Sequence, residues 1–278
     1  AYFQATIYSG TGSAASVTNS GNSDLQPDFV WIKNRNGTRD HRLVDSSRGP
    51  TKEVVSNNNT VEYTEASVGV TAFQSDGFAH GGGNGYGQSD ETYAAWQWKA
   101  NGGTTATLDA GSLNTTGQAN TTAGFSILTY TGTGDVATIA HGLGAVPHLI
   151  IVKARTNTAI DWAVYHHKNT AAPETDYLVL NTTAATADDI NFWRDTAPTS
   201  TLITIGARDN VNSSTSHTYV AYCFTEIQGY SKFGSYTSNA SLDGPFIYTG
   251  FKPAWCMIKR TDSGTNEWTI FNNKSDPY

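Results

Sequence analysis

The sequence predicts an all-β protein made of tandem lectin-like or jelly-roll β-sandwich domains, and three observations carry that expectation. Aromatic and β-branched residues fall in short blocks divided by Gly, Asn, Ser and Thr, as strands are divided by turns. No window of eleven or more residues has a convincing 3.6-residue apolar period, so helix should be scarce. One strand-like block is also written three times: Gln26-Pro27-Asp28-Phe29-Val30-Trp31-Ile32-Lys33, Val146-Pro147-His148-Leu149-Ile150-Ile151-Val152-Lys153 and Lys252-Pro253-Ala254-Trp255-Cys256-Met257-Ile258-Lys259. Each holds a proline, one free position, four apolar residues and a lysine, which reads as a buried strand begun by proline and ended by charge.

Around that block the first unit, residues 1–100, reads in order. A strand from Phe3 to Tyr8 places Phe3, Ala5 and Ile7 on one face by its period of two. A Gly/Ser/Asn loop leads to the Pro27 strand, and Asn36-Gly37 suits a tight hairpin back along His41 to Asp45. Strands follow at Lys52 to Ser56, near Val68 to Phe73, at Gly77 to Ala79 and at Tyr93 to Trp98. Residues 101–124 are rich in Gly, Thr, Ala and Asn without apolar period, and read as a linker with Leu108 and Leu113 as weak docking points.

The second unit, residues 125–229, repeats the first. Phe125 to Gly134 matches Phe3 to Gly12, and Thr218 to Phe224 matches Thr92 to Trp98. Further strands are expected at Trp162 to Tyr165, Tyr177 to Leu180 and Thr201 to Ile205. A third, incomplete copy occupies residues 230–278, and acid-ring pairs recur at Asp40-His41, Asp161-Trp162 and Glu267-Trp268. The three prolines are separated by 120 and 106 residues, far beyond solenoid periods, so each unit should own its core. The third copy, with apolar Phe246, Ile247, Tyr248, Trp255, Met257, Trp268 and Ile270 but no closing strand, should complete its sheet on further chain, a neighbouring domain or another subunit. A homo-oligomer, with the trimer favoured, is therefore expected.

Composition narrows the function. A net charge of -7 without a basic stripe argues against nucleic-acid binding. Apolar runs of strand length are too short to insert in a membrane, and no export signal is visible. Cys223 and Cys256 lie inside apolar blocks and read as core thiols, and no metal or cofactor is called for by ligand spacing. Gly81 to Gly87 lacks the Gly-Lys-Ser/Thr ending of a phosphate loop and reads as a loop at one end of a sandwich.

Asp40-His41 with Asp45-Ser46 invites a catalytic reading, but His41 becomes Trp162 and Trp268 in the other copies, and Asp45 becomes His166 and Asn272. What the copies share is a ring, so the expectation is that the protein is not an enzyme. A polysaccharide depolymerase would need facing carboxylates, and only the second unit offers an acidic pair, Asp188-Asp189. His166-His167 would be split between opposite faces of a strand and reads as two separate histidines. Trp31, Trp96, Trp98, Trp255 and Tyr222 read as core. His41, Tyr86, Trp162 and Trp193 lie nearer turns and are candidates for a sugar-stacking platform, with simple packing the equal alternative.

The chain resembles a family of poorly characterised structural proteins of marine bacteriophages. The blocks that carry the resemblance are Gln26 to Lys33, Ser75-Asp76-Gly77-Phe78, Trp96 to Gly102, Ala140-His141-Gly142-Leu143-Gly144, Asp161 to His166, Tyr219 to Phe224 and Gly229 to Tyr236. The resemblance implies a virion protein, such as a tail fibre or other appendage contributing to host-surface glycan recognition, with other virion proteins as partners and no catalytic residues to carry over. The expected location is the virion, assembled in the host cytoplasm and exposed outside the cell. Alternatives are a capsid-attached fibre or decoration protein, and a stand-alone carbohydrate-binding lectin.

Overall fold

The computed structural model describes residues 1–157 and 159–275. In the first unit nine strands form: β1 (Phe3–Ser9), β2 (Ala15–Thr18), β3 (Phe29–Asn34), β4 (Arg42–Asp45), β5 (Lys52–Val55), β6 (Tyr63–Thr64), β7 (Val70–Gln74), β8 (Gly77–His80) and β9 (Thr92–Trp98). They make a six-stranded sheet, ordered β1-β9-β3-β4-β5-β6, and a three-stranded sheet, ordered β2-β8-β7. Gly77 turns β7 into β8 at φ +109°, where an added Cβ would stand 1.9 Å from the Val17 carbonyl oxygen. The turn thus needs glycine for both conformation and space. The expected tight Asn36-Gly37 hairpin is instead a loop of seven residues between β3 and β4, in which Gly37 does not adopt positive φ.

The second unit runs β10 (Ala106–Leu108), β11 (Thr115–Asn120), β12 (Phe125–Thr131), β13 (Ala137–Ala140), β14 (Leu149–Ala154), β15 (Ala163–His166), β16 (Asp176–Val179), β17 (Ala187–Asp188), β18 (Leu202–Ile205) and β19 (Thr218–Phe224). A single helical turn, α1 (Ile190–Trp193), capped by the Asp189 carboxylate, is the helix among the described residues. The large sheet is ordered β10-β11-β12-β19-β14-β15-β16-β17, beside a two-stranded β13-β18 sheet. The stretch expected as a linker therefore supplies two strands to this sheet. Its small and polar residues hide a strand because β11 pairs through its backbone with β12, as in Gln118 opposite Ile127.

The two units share register as well as order. Trp98 stands opposite both Phe3 and Phe29, and Phe224 stands opposite both Phe125 and Leu149. Tyr8 stacks on Tyr93 at 5.2 Å between ring centres, and Tyr130 on Tyr219 at 5.1 Å. In the third copy β20 (Trp255–Ile258) pairs with β21 (Thr269–Asn272), Trp255 facing Asn272 as Phe29 faces Asp45 and Leu149 faces His166.

Each large sheet is buried on both faces, and this corrects the expectation that every unit keeps its core to itself. One face closes the unit's own sandwich: Val30, Ile32, Val44, Tyr93 and Ala95 pack with Val17, Val70, Phe78 and Tyr86, while Ile150, Val152, Tyr219 and Ala221 pack with Ile139, Ile203 and Ile205. The other face is shared. Phe29, Trp31, Leu43, Val54, Trp96 and Trp98 join Phe125, Ile127, Leu149, Ile151, Trp162 and Tyr222 in one cluster, with Phe29 4.5 Å from Tyr222 between ring centres. At about 1.5–3 kcal/mol per large apolar side chain fully buried, the first unit's share alone contributes on the order of 10 kcal/mol as an upper bound. The units are therefore one packed body.

Trp255, Met257, Trp268 and Ile270 of the third copy also pack on this shared cluster, so part of the surface expected to seek another subunit is covered within the chain. Phe246 and Tyr248 stay exposed, at 90% and 78%. Ile7, expected on one face with the half-buried Phe3 and Ala5, is exposed near the end of edge strand β1. Cys223 is buried, but Cys256, expected in a core, is exposed; both thiols are free. Among the described residues no helix is long and apolar enough to cross a membrane.

Candidate functional site

The repeated rings Trp162 and Trp268 and the repeated lysines Lys153 and Lys259 sit at the junctions between units. The indole Nε1 of Trp162, from the acid-ring pair before β15, donates to the Val55 carbonyl at the end of β5, 2.9 Å away. Trp268, at the same point of the third copy, donates to the Val179 carbonyl at the end of β16, 2.8 Å away. The repeated lysines act alike: Lys153 Nζ reaches the Asn59 carbonyl at 3.3 Å, and Lys259 Nζ the Thr183 carbonyl at 2.8 Å. A backbone pair completes the set, Glu62 N–H to the Arg155 carbonyl and Thr186 N–H to the Thr261 carbonyl, both at 2.9 Å. Counting from Val55 and Val179, the acceptors and donors fall at the same offsets, so one interface occurs twice, head to tail.

The first junction also holds a buried charge network. Arg48 Nε stands 2.5 Å from Asp45 Oδ2, Arg48 Nη1 3.0 Å from Glu62 Oε2, and Arg48 Nη2 donates to the Tyr222 hydroxyl at 3.1 Å. Arg155 grips Glu62 with two bonds of 2.8 and 2.9 Å, and Tyr222 donates to Asp45 at 2.8 Å. Burial opposes the Arg48 charge, but the surrounding carboxylates Asp45 and Glu62 hold its pKa above the ordinary value. Glu62, although burial raises it, is held below the usual carboxylate range by Arg155 and Arg48. Burial lowers Lys153 to about 8. Fully paired charges of this kind fix a geometry, since Arg–carboxylate bonds tolerate little misalignment.

The four aromatic candidates do not form one platform. Trp162, 0% exposed, belongs to the shared core; Tyr86, at 3%, to the first sandwich; and Trp193, at 2%, to the second, edge-on to Tyr165. His41 is half-buried and its Nδ1 accepts from Trp31 Nε1 at 2.9 Å, while burial lowers its pKa to about 4. Packing consumes these rings because the turns that carry them fold back between sheets. Asp45 serves Arg48 rather than a nucleophile, and Ser46 Oγ donates to Asp28 at 2.6 Å. His166 and His167 gather with His148, whose ring lies 4.3 Å from that of His167, against Phe233. Asp188 lies on short β17 while Asp189 caps α1, so they do not face one cleft. Among the described residues no group of three or more His, Cys, Asp or Glu is placed to hold a metal ion.

The sequence pointed to the repeated lysines and rings but not to their partners. Four of the acceptors, at Val55, Asn59, Val179 and Thr183, are main-chain carbonyls and leave no side-chain signature. Arg48, Glu62 and Arg155 were missed because the network lies at a single junction and leaves no repeat to read.

Fold and junctions define an all-β protein of β-sandwich units locked together by a recurring interface. The chain belongs to the family described as a domain of unknown function (DUF7483), which matches residues 1–278. No curated protein and no solved structure matches it.

Proposed function

We propose that the protein is a structural component of a bacteriophage particle, in a tail fibre or another appendage, and works by presenting a rigid surface rather than by catalysis. The observation that carries this reading is the recurring junction: in the second and third copies the repeated ring, lysine and backbone groups are engaged in joining unit to unit. Buried, fully paired groups are poor nucleophiles or bases and good fasteners. The resemblance of the repeated blocks to phage structural proteins supplies the particle. Host-surface glycan recognition goes with this reading and would fall to surfaces other than Tyr86, Trp162 and Trp193, which are buried.

Mass spectrometry of purified particles from a phage encoding this chain, followed by antibody labelling in electron micrographs, tests the reading. The expected result is the protein in the particle with label on a tail appendage; label on the capsid would select a decoration role, and absence from particles would refute the proposal. Release of reducing ends from host polysaccharide by the purified protein, abolished by replacing one carboxylate, would refute its non-catalytic part.

A further inference from the structure

The recurring junction has a vacant counterpart. In sequence terms Lys33, Arg35 and His41 of the first unit stand where Lys153, Arg155 and Trp162, and Lys259, Thr261 and Trp268, stand in the others. In those units the lysine, the carbonyl two residues on and the ring each engage the β5-type strand or the loop after it on the preceding unit. Among the described residues Lys33 donates only to its own loop, to the Gly37 and Arg39 carbonyls at 3.4 and 2.6 Å. The Arg35 carbonyl receives no backbone N–H among the described residues. His41 accepts at Nδ1 from Trp31, which leaves its Nε2 as an N–H donor on the ring that stands in sequence where the two indoles do.

Contacts already run from the first unit toward the third in the same sense. Arg35 Nη2 donates to the Ser275 carbonyl at 3.4 Å, and Trp98 meets Trp255 edge-on at 5.4 Å. Trp96 and Trp255, whose rings lie 6.5 Å apart between the first and third copies, each keep a buried indole N–H without a partner among the described residues, as does Asn169 Nδ2 of the second unit. Asn169 stands in sequence where Arg48 does, and Arg48 is met by Tyr222 from β19 of the next unit, whereas the Asn169 side chain is met only at its Oδ1, by Thr186 of its own unit, among the described residues.

We propose that Lys33, Arg35 and His41 form a docking site for the β5-type strand and following loop of a completed third unit, continuous with β21, which closes the three units into a ring. A second copy of the 278-residue chain cannot supply that segment without opening a junction, because its two β5-type strands, β5 and β16, are each already engaged by the next unit. The site asks for main-chain groups at fixed offsets, a carbonyl for His41, a second four residues on for Lys33, and an N–H seven residues on for the Arg35 carbonyl, as Val55, Asn59 and Glu62 provide to the second unit. The inference is independent of the phage reading.

The test compares the chain as it stands with two extended chains, in which residues 167–229 or residues 46–103 of this same sequence follow Asn272 and supply the missing strands from either complete unit. Lys33 is followed by pulse acylation with an amine-reactive ester and peptide mass spectrometry, and size by light scattering. In at least one extended chain, as a monomer, Lys33 should be acylated at least about tenfold more slowly than in the 278-residue chain, as expected of a group exposed only by local opening. His41→Ala in that extended chain should give back a measurable part of the protection. Failure of both extensions to protect Lys33, whether they stay unfolded or fold elsewhere, overturns the proposal. Protection of Lys33 by self-association of the 278-residue chain also overturns it.

Discussion

Replacing Arg48 by Met tests whether the first junction is held by its charges or only by its apolar core. The guanidinium is fully buried and stands against two carboxylates, so its loss leaves Asp45, 0% exposed, without a counter-charge. Breaking a buried ion pair from one side costs about 3–5 kcal/mol. Here the lower end is expected, because Asp45 keeps the Tyr222 hydroxyl at 2.8 Å and the Arg48 backbone N–H at 2.9 Å, while Glu62 keeps Arg155. A loss of about 3 kcal/mol shifts the folding equilibrium by roughly a hundredfold.

Urea unfolding followed by tryptophan fluorescence and by far-ultraviolet circular dichroism measures the change, provided the two probes coincide. Adding Asp45→Asn should recover at least about half the loss at neutral pH, because the unpaired charge is then gone. A cost below about 1 kcal/mol, or one unchanged by Asp45→Asn, would refute the reasoning and leave the shared apolar core as the whole adhesive.

Other expectations follow from single residues. Glu53 is buried in β5 beside Arg42, and burial raises its pKa to about 7. Its folded pKa lies above the unfolded value, so stability should fall as pH rises from about 4.5 to 7, by roughly 3 kcal/mol at most, and Glu53→Gln should remove that slope. His41 and His166, lowered to about 4 by burial, act oppositely: each costs stability as pH falls below about 6.5. The Glu53 effect must therefore be read as a difference between variant and parent; an unchanged slope would show that Glu53 does not titrate there. Trp162→Phe breaks the bond to the Val55 carbonyl and should cost about 1–3 kcal/mol. Trp193→Phe removes an indole N–H that has no partner among the described residues and should cost less, and equal costs by urea unfolding would contradict this ordering.

The Pro27, Pro147 and Pro253 blocks were legible as strands because four consecutive apolar residues, with proline before and lysine after, leave little else for the segment to be. Such a run also means burial on both faces. It does not say what covers each face, which is why the second core, between units, was not foreseen. Period two assigns Phe29 and Trp31 to one face and Val30 and Ile32 to the other. Only the structure puts the first pair against another unit. Polar burial was equally hidden. Thr6, Asn19 and Gln97 look like surface residues, yet they bond to one another inside the first sandwich, with Thr6 Oγ1 2.7 Å from Asn19 Oδ1. Their counterparts to Thr6 and Gln97 in the second unit are Leu128 and Cys223, so a comparison of the copies gives no warning.

Cys256 gives the sharpest test of the idea that the two faces of a large sheet have separate covers. It stands where Val30 and Ile150 stand, on the face opposite Trp255 and Met257, and those two counterparts are 0% exposed because a small sheet lies over them. In the third copy Trp255 and Met257 are packed on the shared cluster while Cys256 is open to solvent. Pairing to other units has thus covered one face and left the other bare. Native protein treated with a disulfide reagent should therefore yield one reactive thiol, Cys256, whereas Cys223, buried and raised to about 12, should react only on unfolding. Two native thiols reacting alike would sink this account. The chain extended by residues 167–229 adds a counterpart of β18, and Phe246, Ile247 and Tyr248 precede the Pro253 strand as β2 and β13 precede the Pro27 and Pro147 strands. If those elements form the small sheet, Cys256 reactivity should fall together with that of Lys33; if Lys33 is protected while Cys256 stays reactive, the ring closes without a third sandwich, because the two faces are covered independently.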